Sequence, residues 1–221
     1  MTDPAAAPPR DADRLLDAAL LHVPFDGMNA RALAAGAADL GLDRAYAEAL
    51  ISGGAGLAAA YHRRGDAALR ASLAANPPTG RFRERVAEAV MRRLSFSDPE
   101  LVRAGAAVLS LPVHGGLGAR LIGETADAIW DGLGDRSDDL AWWTKRATLG
   151  AVYAATVLYW MGDRSAGLAD TRAFLERRIE GVMRFEEVKT RARRLPGWNA
   201  LARATTGWVR APRSAHAGGR S

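Results

Sequence analysis

LAWWTKRATLGAVYAATVLYWMG, residues 140–162, is a strongly apolar run with a charged knuckle at its start. Asp138 and Asp139 precede it, where carboxylates favour the positive end of a helix dipole. Leu149, Val152, Tyr153, Thr156, Val157 and Trp160 then recur at i, i+3/i+4 spacing, the pattern of a helix with a buried stripe. Trp142 and Trp143 point about 100° apart on such a helix, so one stripe does not hide both rings. At least one ring is therefore expected at the surface or in a partner's pocket, and tryptophan with arginine is the pairing enriched where partners bind. A core helix with one ring against a neighbour is the plainer alternative.

Outward from this run, nearly everything reads as helix. Helices are expected at about 11–23, 29–40, 43–51, 53–75, 80–95, 99–110, 113–133, 139–161, 167–192 and 197–210. Asn76-Pro77-Pro78-Thr79 and Leu111-Pro112 are firm breaks, and Asp98-Pro99-Glu100 reads as an N-cap followed by proline at the first helical position. No period-2 alternation and no internal repeat is found, so the expected class is all-α.

Composition narrows the function classes. With 221 residues and 48% hydrophobic content, the chain builds a real core. It has no cysteine, which excludes disulfides, thiolate zinc sites and thiol nucleophiles and fits a reducing compartment. The opening MTDPAAAPPRDADR has no apolar h-region, so residues 1–10 are expected to be a disordered leader and the protein cytoplasmic. The net charge of +5 is unevenly placed. Residues 184–221 hold nine basic residues against Glu186 and Glu187, which leaves residues 1–183 slightly acidic.

Residues 11–51 resemble a helix-turn-helix unit of the TetR type. Leu15, Leu16, Ala19 and Leu20 give the first helix a buried face, Phe25-Asp26-Gly27 makes a turn, and Asp39-Leu40-Gly41-Leu42 leads into the third helix. That third helix, Asp43-Arg44-Ala45-Tyr46-Ala47-Glu48-Ala49-Leu50, carries one cation against two acids. Its carboxylates would face a polyanion, so nucleic acid is not an expected partner.

No catalytic constellation emerges. His22, His62, His114 and His216 are scattered and form no His-Glu-x-x-His or paired arrangement, so no metal and no cofactor are expected. Gly115-Gly116-Leu117-Gly118 lacks the preceding strand and following Gly-Lys-Ser/Thr of a phosphate loop. Glu124, Asp127 and Asp131 fit a solvated helix face. More informative is residues 196–211, where Trp198, Leu201, Trp208 and Val209 share one face of a helical wheel with Arg203 and Arg210 opposite. Behind the Pro196-Gly197 hinge and the cations Arg191, Arg193 and Arg194, this reads as an amphipathic helix lying on an anionic membrane surface.

Leu111-Pro112, Asp127-Ala128-Ile129-Trp130, Gly134-Asp135-Arg136-Ser137-Asp138-Asp139, Trp142-Trp143-Thr144-Lys145-Arg146 and Phe174-Leu175-Glu176-Arg177-Arg178 together resemble the ubiquinone-biosynthesis accessory family often written Coq-nine. The likeness covers about residues 11–210. It implies a TetR-like fold without a DNA role and a larger helical domain (52–195) with an apolar lipid pocket. It also implies a membrane-binding helix (196–211) ahead of a disordered tail (212–221), and no catalysis of its own. The partners it implies are an isoprenoid quinone precursor or phospholipid, the demethoxyubiquinone hydroxylase, an anionic inner-membrane surface and a second copy of the chain in a homodimer. On that resemblance the docking patch comprises Asp127, Ile129, Trp130, Asp135, Trp142, Trp143 and Arg146. Trp143 stands where the family commonly has an aromatic with a hydroxyl. The lipid pocket draws on Met91, Leu94, Leu109, Leu121, Tyr153, Val157, Trp160, Phe174 and Met183, residue types that suit plain core packing equally. The alternative is a TetR-type repressor with an apolar effector pocket.

Overall fold

The computed structural model describes residues 11–134 and 140–193, without the side chains of 140–145, 183 and 185–193. All regular structure among them is helical: α1 (Asp11–Asp26), α2 (Ala30–Asp39), α3 (Arg44–Leu50), α4 (Gly53–Ala75), α5 (Phe82–Ser95), α6 (Pro99–Leu109), α7 (Gly115–Gly132), α8 (Leu140–Trp160) and α9 (Ala169–Arg193). The described residues divide into two units, one up to Ile179 and one from Glu180 onward. In the second, α9 carries an Arg184–Glu180 ion pair at 2.6 Å. The expected leader, the 196–211 helix and the 212–221 tail lie outside the described residues.

Caps set the helix starts. The Asn29 side chain accepts from the Arg31 and Ala32 amides, Asp43 from Ala45 and Tyr46, and Asp98 from Glu100 and Leu101 at 2.8 and 3.1 Å. Each cap contributes about 1 kcal/mol. Two boundaries differ from the sequence reading. Helix α1 runs through Pro24 to Asp26: proline removes the amide that would donate to the Leu20 carbonyl, but the Gly27 N–H still closes on the Val23 carbonyl at 2.8 Å and completes the last turn. Helix α9 begins at Ala169, behind a 3₁₀ turn over Ala166–Leu168. Asp163 organises that turn, accepting from the Ser165 amide (2.7 Å), the Thr171 amide (2.9 Å) and the Thr171 hydroxyl (2.5 Å). Those hydrogen bonds, led by the Thr171 hydroxyl, hold its carboxyl well below the usual carboxylate range.

The first three helices share one core with α4 and α6. Leu15, Ala19, Leu33 and Leu57 are fully buried in it, and Leu101 and Val102 pack against it. Helix α7 then packs on both α4 and α8, carrying Leu121 and Ile129 into a second apolar layer. No single described helix is long and apolar enough to cross a membrane.

Helices α1 and α2 touch backbone to side at Gly36, where an added Cβ would run into the Ala19 amide and Cα. Gly36→Val therefore overpacks a backbone contact that has no rotamer to yield. Its expected cost is about 2 kcal/mol. Thermal unfolding should show a Tm fall of about 4–8 °C.

Candidate functional site: an apolar cavity with one polar wall

Helices α4 to α8 enclose a cavity of about 410 Å³. Leu94, Leu121, Tyr153 and Trp160 form its deep wall and are buried; Ser110, Gly115 and Leu158 form its rim and are exposed. Small residues at Ala58, Gly105, Gly118 and Ala154 set the helices close and leave the space unfilled. The volume falls within the roughly 300–1,000 Å³ typical of small-molecule sites, and the wall is overwhelmingly hydrocarbon.

One wall is polar. Tyr61, His62, Arg93 and Tyr153 line the cavity, with Asp66 and Thr125 behind them. The Arg93 side chain, 3% exposed, donates from Nε to Asp66 Oδ1 (2.6 Å), from Nη1 to Ser97 Oγ (2.6 Å) and from Nη2 to the His62 carbonyl (2.9 Å). The Thr125 hydroxyl donates to the same Asp66 oxygen at 2.9 Å. His62 Nε2 lies 3.1 Å from the Leu121 carbonyl and 2.7 Å from Thr125 Oγ1. A carbonyl only accepts, so Nε2 carries the proton. Burial, opposed by Asp66 and assisted by Arg93, holds the His62 pKa below its ordinary value, so the ring is neutral. Burial likewise pushes up the hydroxyls of Tyr61 and Tyr153. Asp66 Oδ2 has no hydrogen-bond partner among the described residues.

Breaking a buried pair such as Arg93–Asp66 costs about 3–5 kcal/mol, because the remaining charge is stranded. Gly65 makes the pair possible: a Cβ there would lie 2.5 Å from Arg93 Nη1. The sequence reading missed this network. Its one visible signal was a glycine inside the charged helical run His62-Arg63-Arg64-Gly65-Asp66. The described residues contain no group of three or more His, Asp or Glu placed to hold a metal ion.

Six of the expected pocket residues wall this cavity: Leu94, Leu109, Leu121, Tyr153, Val157 and Trp160. Met91 is buried elsewhere, and Phe174 stacks on Tyr159 at 4.5 Å beneath the Arg178 guanidinium, away from the cavity. The Met183 side chain lies outside the described residues.

The expected docking patch is divided. Ile129 is fully buried, and Trp130, 7% exposed, stacks on Phe82 at 5.3 Å. Arg146, 8% exposed, donates to Asp127 Oδ1 at 2.5 Å and to Asp131 at 3.4 Å. These three are therefore interior residues of the described chain. The physical reason is helical geometry, since positions 127 and 129 point about 200° apart and cannot share one exposed face. Asp127 remains partly exposed. Asp135 and the side chains of Trp142 and Trp143 lie outside the described residues. Glu124, read as solvated, is gripped by Arg63 (2.8 Å) and Arg120 (2.9 Å). The hydrogen bond from Arg63 is the main cause of its lowered pKa.

A family model for COQ9 matches residues 116–186. The chain is 33% identical over 181 residues to the ubiquinone biosynthesis protein COQ9, mitochondrial, of Bos taurus, covering 77% of this chain and 56% of that one. The Homo sapiens protein of the same name is also 33% identical, with 77% and 57% covered. The chain thus spans little more than half the length of these curated relatives. Among solved structures it is similar to a TetR transcriptional regulator from Nitrosomonas europaea, with a TM-score of 0.58, 17% identity, and 76% of this chain and 95% of that one covered. That likeness shows a TetR-like fold.

Two outcomes follow from the geometry. Arg146→Glu sets three carboxylates together and should destabilise by about 3 kcal/mol or more, whereas Arg146→Met should cost less. Urea unfolding of both variants measures the difference. Because the folded His62 pKa is lowered, its contribution to stability is present above the ordinary histidine value of 6.5 and is lost as pH falls through the folded value. His62→Gln should flatten that acid-side decline in a stability–pH profile, and an unchanged slope would contradict the assignment.

Proposed function

The chain belongs, over its matched helical body, to the COQ9 family, and from that membership we propose that it is a non-catalytic lipid carrier of ubiquinone biosynthesis. It takes an isoprenoid quinone precursor from the membrane and presents the head group to the demethoxyubiquinone hydroxylase. The observation that carries this reading is the hydrocarbon-walled cavity among α4–α8. A polyprenyl tail does not cross water freely, since each exposed CH₂ costs roughly 0.8 kcal/mol. A protein that moves such a molecule must continue the bilayer's apolar phase, and this cavity offers that phase. Its volume suits a drug-sized portion of the lipid, so a long tail trails outside.

The polar wall gives the reading direction. His62, Arg93, Tyr61 and Tyr153 offer hydrogen-bonding groups on one side only, which orients an amphiphile with a single oxygenated end. Residues 196–211, with Trp198, Leu201, Trp208 and Val209 opposite Arg203 and Arg210, provide peripheral attachment to the cytoplasmic membrane. Hydroxylase docking falls to the tryptophan pair Trp142-Trp143 on the strength of its residue type in the sequence. A repressor reading shares the fold, but α3 is seven residues long and sets Arg44 against Glu48, a poor match for phosphate.

Ala154→Phe fills the cavity from α8. Mass spectrometry of the purified full chain should then show lipid occupancy falling roughly tenfold at an intact fold, the effect of a site that no longer accommodates its guest. Equal occupancy in the variant and the parent would remove the cavity as the lipid site. In flotation with anionic vesicles, a chain ending at Leu195 should be recovered several-fold less than the full chain.

A further inference from the structure

The corner between α6 and α7 is a long uncharged stretch, matched in length by the uncharged run 147–162 of α8 but set at a turn rather than within one helix. From Ala104 to Ala119 there is no Asp, Glu, Lys or Arg, in a chain where a quarter of residues are charged. At the corner itself Leu111 is 50% exposed and Val113 80% exposed. Charge resumes only at Arg103 and Arg120 on either side. An uncharged, apolar corner held in water is unusual for a surface loop and marks an interaction site.

The same segment walls the cavity from within. Leu109, Ser110, Gly115, Gly118 and Ala119 belong to its lining, and Leu158 of α8, 67% exposed, faces the same opening. The apolar surface is thus continuous from buried Leu121, over the rim, to Leu111 and Val113. Part of the corner's backbone is paired within the corner itself. The Ser110 amide donates to Ala106, the Leu111 amide to Val108 and the His114 amide to Leu111, while Pro112 has no amide to satisfy. The Ser110 hydroxyl donates to the Ala107 carbonyl at 2.9 Å. Groups satisfied internally enter lipid without the penalty that free amides would incur.

We propose that this corner dips into the acyl edge of a bilayer and is the mouth through which the cavity's guest enters and leaves. Helices α6 and α7 meet at the corner with a bend of 97°, and neither is long and apolar enough to cross a membrane alone. Leu111 and Val113 are the inserting side chains, and the rim at Ser110, Gly115 and Leu158 then opens directly onto hydrocarbon. The inference rests on the lipid-carrier reading of the cavity, and adds a membrane contact separate from residues 196–211.

The absence of native cysteine gives a direct test on the full chain. Val113→Cys, and Ala49→Cys on exposed α3 as a reference, are each labelled with a polarity-sensitive bimane dye. Equimolar phosphatidylcholine–phosphatidylglycerol vesicles are then added. The dye at position 113 should shift to the blue and lose iodide quenching several-fold, while that at position 49 stays aqueous. Replacing Leu111 and Val113 together by Asp should lower vesicle partitioning roughly tenfold with circular dichroism unchanged. Vesicle-bound protein whose dye at position 113 remains aqueous overturns the mouth and leaves the carrier reading standing. A blue shift that grows with protein concentration in the absence of vesicles overturns it in favour of a second copy covering the corner. Failure of the unsubstituted chain to bind vesicles overturns this inference together with the membrane part of the carrier reading.

Discussion

The buried ion pair between Arg93 and Asp66 ties α4 to α5 at the cavity wall. Helices around an unfilled volume tend to collapse, because every missing contact forfeits dispersion and transfer free energy. Here α4 supplies Asp66, α5 supplies Arg93 and α7 supplies Thr125, and a single carboxylate oxygen takes both of their hydrogen bonds. Charge-assisted bonds in a buried site fix distance and angle more tightly than apolar packing does. The three helices are thereby pinned at a spacing that leaves room beside them, and Gly65 is the sequence-level concession that admits the guanidinium.

That polar brace sits against hydrocarbon, and the contrast gives the cavity its chemistry. A fully apolar void would accept any oily molecule in any orientation. One side offering a neutral histidine, a guanidinium and two hydroxyls gives an amphiphile a preferred end. Membership of a family named for ubiquinone biosynthesis supplies the context in which such a guest makes sense. The TetR-like scaffold supplies the frame: a compact three-helix unit followed by a larger helical body.

Much of the fold was legible because its local signals agree with one another. Asp98-Pro99 marked the start of α6 to the residue, and the i, i+3/i+4 run after Leu149 described α8. The Asp163 turn was missed: its bond from the Ser165 amide is a local Asx turn, while those from Thr171, eight residues on, form only once the chain has doubled back. Six cavity residues were found because a helix's inner stripe must line whatever lies inside. Their polar neighbours were missed, because nothing local tells a buried Arg93 from an exposed one. The docking-patch residues are divided between interior and surface for a related reason. Asp127 and Asp131, four apart on α7, could have flagged a clamp for Arg146, while Ile129 and Trp130 turn inward on the other side.

The most direct test of the carrier account is photocrosslinking in vesicles that contain a prenylated quinone bearing a diazirine on its first isoprene unit. Peptide mapping should place the crosslinks on α6, α7 and α8, at residues such as Leu109, Leu121 and Val157. Crosslinks confined to residues 196–211, or absent from the cavity wall altogether, would show that the lipid never enters, and the account would be wrong.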